Sequence, residues 1–167
     1  MQSEFLFTVA EVAVAFAGFA GLIVAISGRQ GRSAAEVRLD LVLLTNVLSA
    51  SLMTVAFAFI PATLLGMDVE PSVAWRGSAF LYAVSVAVYM ARALPGQFAS
   101  YRAAGRSVPL TFRMNSGLVM VAIVSQGLCA AGVLPALVYL PSLLLLLYVS
   151  GVSFVRVFLS VVRANPD

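Results

Sequence analysis

The stretch FTVAEVAVAFAGFAGLIVAISGR, residues 7–29, is almost wholly apolar and contains a single acidic residue, Glu11. A helix of about 20 apolar residues crosses the ~30 Å hydrocarbon core of a bilayer. A carboxylate within such a span is energetically unfavourable, and intramembrane ionisable residues commonly mark functional sites. The stretch therefore predicts a transmembrane helix and makes Glu11 the first candidate functional residue.

The composition extends this prediction to the whole chain of 167 residues. Hydrophobic residues make up 62% and charged residues 10%, whereas ordinary globular domains have roughly 45–50% apolar and about 25% charged residues. Mean hydropathy is +1.03. Five apolar runs predict one all-α domain over 1–167, a polytopic integral membrane protein with a bundle of five transmembrane helices. The expected helices span about 5–27, 34–65, 73–94, 113–134 and 138–162.

The distribution of arginine predicts the orientation of this bundle. All ten basic residues are arginines. Nine of them lie after the first run, around the end of the third run and the following connection, or near the C-terminus, and Arg76 lies at the start of the third run. The alternate connection LGMDVEPS has two acids and no base. The positive-inside rule then places the N-terminus outside and the C-terminus in the cytoplasm. The lack of lysine beside abundant Ala, Val and Arg is typical of a GC-rich bacterial genome, so we expect a multi-pass protein of the bacterial inner membrane.

Several function classes are excluded by missing residues. The chain has no histidine and one cysteine, Cys129, which excludes an intramolecular disulfide, a metal site of paired Cys or His, and a histidine base. Glycine-rich phosphate loops are also absent. We expect neither an enzyme nor a cofactor. Nucleic-acid binding is not expected, because the arginines flank apolar runs as orientation signals do. The segment MQSEFLF lacks a basic n-region, so we expect the first helix to be retained.

The first helix divides into distinct faces. At about 100° per residue, one stripe reads acid, acid, small, apolar, small, base from outside to inside; it contains Glu4, Glu11, Gly18, Leu22, Ala25 and Arg29. A second face is made of small residues that let another helix approach closely; it contains Ala13, Ala17, Ala20 and Gly21. We expect the stripe to line an ion path and the small face to pack on a neighbouring helix.

The stripe resembles helices of two known families of membrane proteins. The order acid, apolar, base along one helix is similar to the pore helix of Orai-type calcium channels, over this helix alone. Glu11 in the tripeptide AEV resembles the essential carboxylate in the first helix of small multidrug resistance transporters, over a few residues. The first resemblance implies a cation-selective carboxylate, and the second implies proton-coupled export.

Other polar residues fall at matching depths in the predicted spans. Counting ~1.5 Å per residue places Tyr82 and Gln126 near the depth of Glu11, where either side chain is able to donate to its carboxylate. Asn46 and Tyr89 form a second layer nearer the inner side, where they are able to pair. Ordinary packing and interhelical hydrogen bonds are the alternative interpretation for all four residues.

Three functional hypotheses follow. The first is a homo-oligomeric, channel-like conduit for small cations with Glu11 at its outer end. The second is a proton-coupled exporter of small cations or drugs that uses Glu11, and the third is a non-transporting membrane subunit or scaffold. The expected partners are the lipid bilayer, further copies of the chain, and a small cation or proton. The loop containing Arg102, Arg106 and Arg113 is a candidate contact for anionic headgroups or a cytoplasmic partner.

Overall fold

The computed structural model describes residues 2–26, 34–105 and 107–164, and these residues form an all-helical protein. A short 3₁₀ helix, Ala136–Val138, precedes the last α-helix. The α-helices are α1 (Gln2–Ile26), α2 (Ala34–Gly66), α3 (Pro71–Ala103), α4 (Leu110–Ala130) and α5 (Tyr139–Ala164). All five are long and apolar enough to span a membrane, which indicates a multi-pass membrane protein.

The largest difference from the expected helix bounds lies in α3. This helix continues through Pro95 to Ala103, whereas the sequence pattern predicted an end at Leu94. A proline inside a helix removes one backbone hydrogen bond and often ends the helix. Here the segment beyond the proline is held by side chains, because Phe98 packs edge-on against Phe112 of α4 with ring centroids 5.4 Å apart.

The α4–α5 connection also differs from expectation. Helix α4 ends at Ala130, before the predicted residue 134, and Pro141 lies in the first turn of α5. The position of Pro141 is favourable, because the first N–H groups of a helix have no intrahelical partner. The break is supplied by residues 131–135 and the 3₁₀ helix.

Helices α2 and α5 pack together at the centre of the bundle. Helix α1 packs on both of them, α3 packs on α2 and α4, and α4 also packs on α5. The α2–α3 turn contains Asp68 and Glu70, and we call this end of the bundle the acidic end. The opposite end carries the α3–α4 connection with Arg102 and Arg113, and we call it the arginine-rich end.

Small residues bring α1 close to its neighbours, as the sequence pattern predicts, with one exception. Ala13 and Ala20 are 0% exposed, and Ala17 is half-buried. Gly21 is exposed, and a Cβ added to it would meet no atom within 4 Å. Gly21 is therefore not part of the packing face, because it lies further around the helix than the alanines.

Helix ends at the acidic end are closed by residues with positive φ. Asp68 (φ 58°) follows α2 and Gly132 (φ 78°) follows α4. At Gly132 the two bonds of a Schellman motif are present, from Gly132 N–H to the Cys129 carbonyl at 3.0 Å and from Val133 N–H to the Leu128 carbonyl at 2.9 Å. The Arg76 guanidinium lies against Gly132, since a Cβ there would be 2.9 Å from Nη2. A cation at a helix C-terminus interacts favourably with the helix dipole.

Candidate functional site

The candidate site begins with the position of Glu11 on α1. The side of α1 that contains Ala13 and Ala20 packs on α2 and α5. Glu11 lies about 160° around the helix from the centre of this packing face, at about 100° per residue, and is exposed. Its carboxylate makes no hydrogen bond or ion pair with any residue that the structure describes. The protomer therefore turns Glu11 away from its own interior.

The rest of the predicted stripe follows the same side of α1 where the structure describes it. Glu4 and Gly18 are exposed, and Leu22 is 56% exposed. A Cβ added at Gly18 would meet no atom within 4 Å, so this glycine is free to approach another molecule. The Ala25 side chain and the whole of Arg29 lie outside the described residues.

The depth of Glu11 makes its exposure significant. The apolar span of α1 begins at Glu4, and the seven residues to Glu11 correspond to about 10 Å along the helix axis. A charged side chain at such a depth usually faces a bundle interior, another protein surface or a water-filled cavity, because lipid solvates it poorly. The exposure of Glu11 at this depth therefore makes it the main candidate functional residue of α1.

The expected donors to Glu11 lie elsewhere, which corrects that part of the sequence prediction. Tyr82 Oη donates to the Ser142 carbonyl at 2.9 Å, and Gln126 Nε2 donates to Ser142 Oγ at 2.8 Å and to the Val138 carbonyl at 3.1 Å. Tyr82 and Gln126 are both 0% exposed. They match Glu11 in depth, but they face the bundle core while Glu11 faces outward.

These residues belong to a tyrosine cluster, defined as Tyr82, Gln126, Tyr139 and Ser142. The Tyr82 and Tyr139 rings lie 6.1 Å apart in a T-shaped arrangement. Gln126 Oε1 is buried without a hydrogen-bond donor among the described residues. Reversing the Gln126 amide would lose the bond to the Val138 carbonyl, because a carbonyl oxygen only accepts. The cluster links the C-terminal half of α4 to the first turns of α5. Its buried hydrogen bonds hold the helices together.

A second polar group lies in the arginine-rich half of the bundle, and we call it the amide cluster: Asn46, Tyr89 and Gln97. Asn46 Oδ1 accepts hydrogen bonds from Tyr89 Oη at 2.8 Å and from Gln97 Nε2 at 2.7 Å. The Asn46–Tyr89 pair is the one expected from their depths. Any role of this pair in an ion path stays a prediction.

The amide cluster borders a small internal cavity of about 60 Å³ between α2, α3, α4 and α5. Its polar lining also includes Asn115, Ser153 and Arg156. Asn115 is 9% and Ser153 is 8% exposed. Such a volume holds about two to four water molecules, so the cavity is able to hydrate the buried amides. Its lining contains no carboxylate among the described residues.

Sequence reasoning missed Gln97, Asn115 and Arg156 as members of this cavity. Gln97 was assigned to a loop because α3 was expected to end before Pro95. Asn115 and Arg156 lie near predicted helix ends, where polar residues commonly face water or headgroups. A signal was present for Gln97, since it lies two turns after Tyr89 and therefore near the same helix face.

The arginines of the α3–α4 connection form the remaining candidate surface. Arg102 and Arg113 are exposed, and Arg106 lies outside the described residues. Neither of the two described arginines pairs with an acid among the described residues. Their contact with headgroups or a partner protein stays a prediction.

Comparison of the chain with protein-family models, with curated proteins and with solved structures finds no match.

Proposed function

We propose that several copies of this protein assemble in the bacterial inner membrane into a conduit for small cations, with α1 of each copy beside a shared axis. The observation that carries the proposal is the exposure of Glu11 on the face of α1 opposite the protomer core. The arginine distribution supports an orientation with the acidic end outside and the arginine-rich end in the cytoplasm.

The charge of Glu11 favours assembly of several copies. An isolated protomer would present Glu11 to lipid about 10 Å below the start of the span. Symmetric copies around an axis would instead turn the carboxylates toward each other and toward water. A ring of carboxylates at a pore mouth attracts cations and replaces part of their hydration shell. Assembly thus converts an unfavourable lipid-facing charge into a cation site.

The path below this ring would follow the same stripe. Gly18, Leu22 and Ala25 would line a narrower apolar section, and Arg29 would lie at the cytoplasmic mouth. Hydrophobic constrictions in pores gate by excluding water. Leu22, as the largest apolar member of the stripe, is the proposed constriction.

The two other hypotheses receive less support from the geometry. An exporter that uses Glu11 needs this carboxylate in a protomer cavity, whereas Glu11 faces outward and the internal cavity has no described carboxylate. A scaffold that uses Glu11 only for internal packing needs it buried in the protomer. A scaffold that binds a partner through Arg102, Arg106 and Arg113 is compatible with the described surface.

The test of conduction is ion flux through the purified protein in liposomes. We expect passive cation flux in the wild type, and Glu11→Gln should abolish it or change its ion selectivity because the ring loses its charge. Glu70→Gln is the matched control, since Glu70 is an exposed acid at the same end but outside the stripe. Equal flux in wild type and Glu11→Gln, with both proteins folded, would contradict the assignment of Glu11.

The test of assembly uses cysteine cross-linking in membranes. In a Cys129→Ser background, Gly18→Cys should form disulfide-linked dimers on oxidation, because copies of the stripe approach one another at the axis. Val121→Cys on α4, a position 66% exposed in the wild type, is the control on another surface. Cross-linking at position 121 and none at position 18 would place the interface away from α1.

A further inference from the structure

An apolar cleft runs along the side of the bundle, away from the Glu11 stripe. Helices α1 and α4 pack on α5 from two sides and leave between them a cleft of about 640 Å³. Apolar side chains form most of its lining, including Val12, Phe16, Leu144, Tyr148, Val152 and Val155. Leu144, Tyr148 and Val155 are 43%, 54% and 51% exposed. A surface of this kind is suited to an apolar occupant.

The cleft has one charged end. Arg156 lines it toward the arginine-rich end, together with Thr111 from the first turn of α4. Arg156 makes no ion pair with any acid that the structure describes. The helix α4 begins after Pro109, which provides no side-chain cap, so the positive end of its dipole also lies near Thr111. The Arg156 cation, the Thr111 hydroxyl and the positive end of the α4 dipole all favour an anion at this end of the cleft.

The length of the cleft matches one leaflet of a bilayer. From Leu144 to Arg156 it follows twelve residues of α5, or about 18 Å along the helix. Half of a ~30 Å hydrocarbon core is about 15 Å. An acyl chain in the cleft would thus reach the middle of the membrane while its headgroup lies at Arg156.

We propose that this cleft binds an anionic phospholipid, with its phosphate at Arg156 and Thr111 and an acyl chain along α5. Basic pockets between transmembrane helices bind anionic headgroups in this manner. The cleft near Arg76 at the acidic end differs, because the Arg76 guanidinium already lies against Gly132. The lipid site does not depend on the proposed cation conduit.

The experiment measures which lipid stays with the protein. Full-length protein is reconstituted in vesicles of equal parts phosphatidylglycerol and phosphatidylcholine, extracted in mild detergent and analysed by native mass spectrometry. We expect one phosphatidylglycerol to be retained preferentially. Arg156→Gln should lower this preference about fivefold, the factor expected for one arginine near a headgroup, and Arg156→Lys should keep most of it. Arg92→Gln, at an exposed arginine of α3 that does not line the cleft, should leave it unchanged.

A second pair of variants tests the acyl-chain part of the site. Leu144→Trp should fill the cleft and reduce retention of either phospholipid, whereas Leu128→Trp, at a position 40% exposed outside the cleft, should not. Glycerol 3-phosphate has no acyl chain and should not displace the lipid. Circular dichroism and gel filtration establish that each variant folds.

Three results would overturn the proposal. The first is equal lipid preference in Arg156→Gln and Arg92→Gln. The second is displacement of the lipid by glycerol 3-phosphate, which would indicate a site for a free phosphate compound. The third is a changed oligomer mass in Leu144→Trp with unchanged lipid retention, which would assign the cleft to a second copy of the chain. If Arg156→Gln does not fold, Arg156→Lys and Leu144→Trp decide the question.

Discussion

Tyr139 compensates for a proline inside a neighbouring helix, and removing its hydroxyl tests this directly. Pro61 lies within α2 and has no N–H, so the carbonyl of Phe57, four residues earlier, loses its intrahelical donor. Tyr139 Oη from α5 donates to this carbonyl at 2.7 Å. Tyr139 is 0% and Phe57 is 4% exposed, so water has little access to the site. In Tyr139→Phe the carbonyl would have no donor nearby.

The magnitude follows from the burial of both partners. Hydrogen bonds between membrane helices average ~0.6 kcal/mol with a maximum of about 1.7 kcal/mol, and an unsatisfied buried group costs about 1–3 kcal/mol. Because the Phe57 carbonyl has lost its usual donor, we expect Tyr139→Phe to lower the free energy of unfolding by about 1–2 kcal/mol. In a Pro61→Ala background the backbone N–H returns, and the same substitution should cost about 1 kcal/mol less.

The assay is a double-mutant cycle on purified protein in mixed micelles. Reversible unfolding by a denaturing detergent is followed by far-ultraviolet circular dichroism for the wild type, the two single variants and the double variant. Tyr148→Phe is the control on the same helix, since Tyr148 is 54% exposed and should lose little. Equal costs of Tyr139→Phe in both backgrounds would refute the idea that its hydroxyl replaces the donor that Pro61 removes.

Two further predictions concern the amide cluster and the helix ends. Asn46→Leu removes the acceptor of both Tyr89 and Gln97 and should lower the free energy of unfolding by about 1–3 kcal/mol; in the same unfolding assay, an unchanged midpoint would show that the two donors find other partners. Gly105→Ala and Gly132→Ala should each cost about 1–2 kcal/mol because both glycines have positive φ. The loss should be somewhat larger at Gly132, where the new Cβ would lie 2.9 Å from Arg76 Nη2 and would move the guanidinium off the helix C-terminus. Thermal unfolding of the two variants compares them, and a larger loss at Gly105 would contradict the role of this contact.

The faces of α1 were predictable because they depend only on helical periodicity. A spacing of about 100° per residue separates Glu11 from Ala13 and Ala20, and the structure places them on opposite sides. The depth of each residue along its predicted span was estimated in the same way, by counting about 1.5 Å per residue. The side of the bundle toward which each residue points depends on how the five helices pack, and for this reason the sequence left open whether Tyr82 and Gln126 bond to Glu11 or to another helix. The structure shows the second arrangement.

The cavity in the arginine-rich half could not be predicted from local sequence, because α3 is longer than its apolar run. The apolar run of the third helix ends at Leu94, just before Pro95, and Gln97 was therefore assigned to the following connection. In the structure, the helix continues because Gln97 bonds to Asn46 and because Tyr101 packs on Phe112 with ring centroids 5.6 Å apart. Those contacts come from α2 and α4, which are distant in sequence, so local propensity alone gives no indication of them.

The described polar residues are of two kinds: some hydrogen-bond inside the bundle, and two charged residues have no described partner. Amides and hydroxyls such as Asn46, Tyr89 and Tyr139 bind one another or the backbone inside the bundle. Glu11 and Arg156 instead have no described hydrogen-bond or ion-pair partner, although both lie within apolar spans. The two proposals give each charge a contact outside the chain, namely cations for Glu11 and a lipid phosphate for Arg156.

The two charges face different surfaces, so their substitutions should have separate effects. Glu11→Gln should change cation flux and leave the preference for phosphatidylglycerol intact, because Glu11 does not line the cleft. Arg156→Gln should lower that preference, while the carboxylate ring and its ion selectivity remain. Measuring flux and retained lipid on both variants distinguishes the proposals. If each substitution changed both properties in proportion, a single structural defect would explain them, and the assignment of separate sites would be wrong.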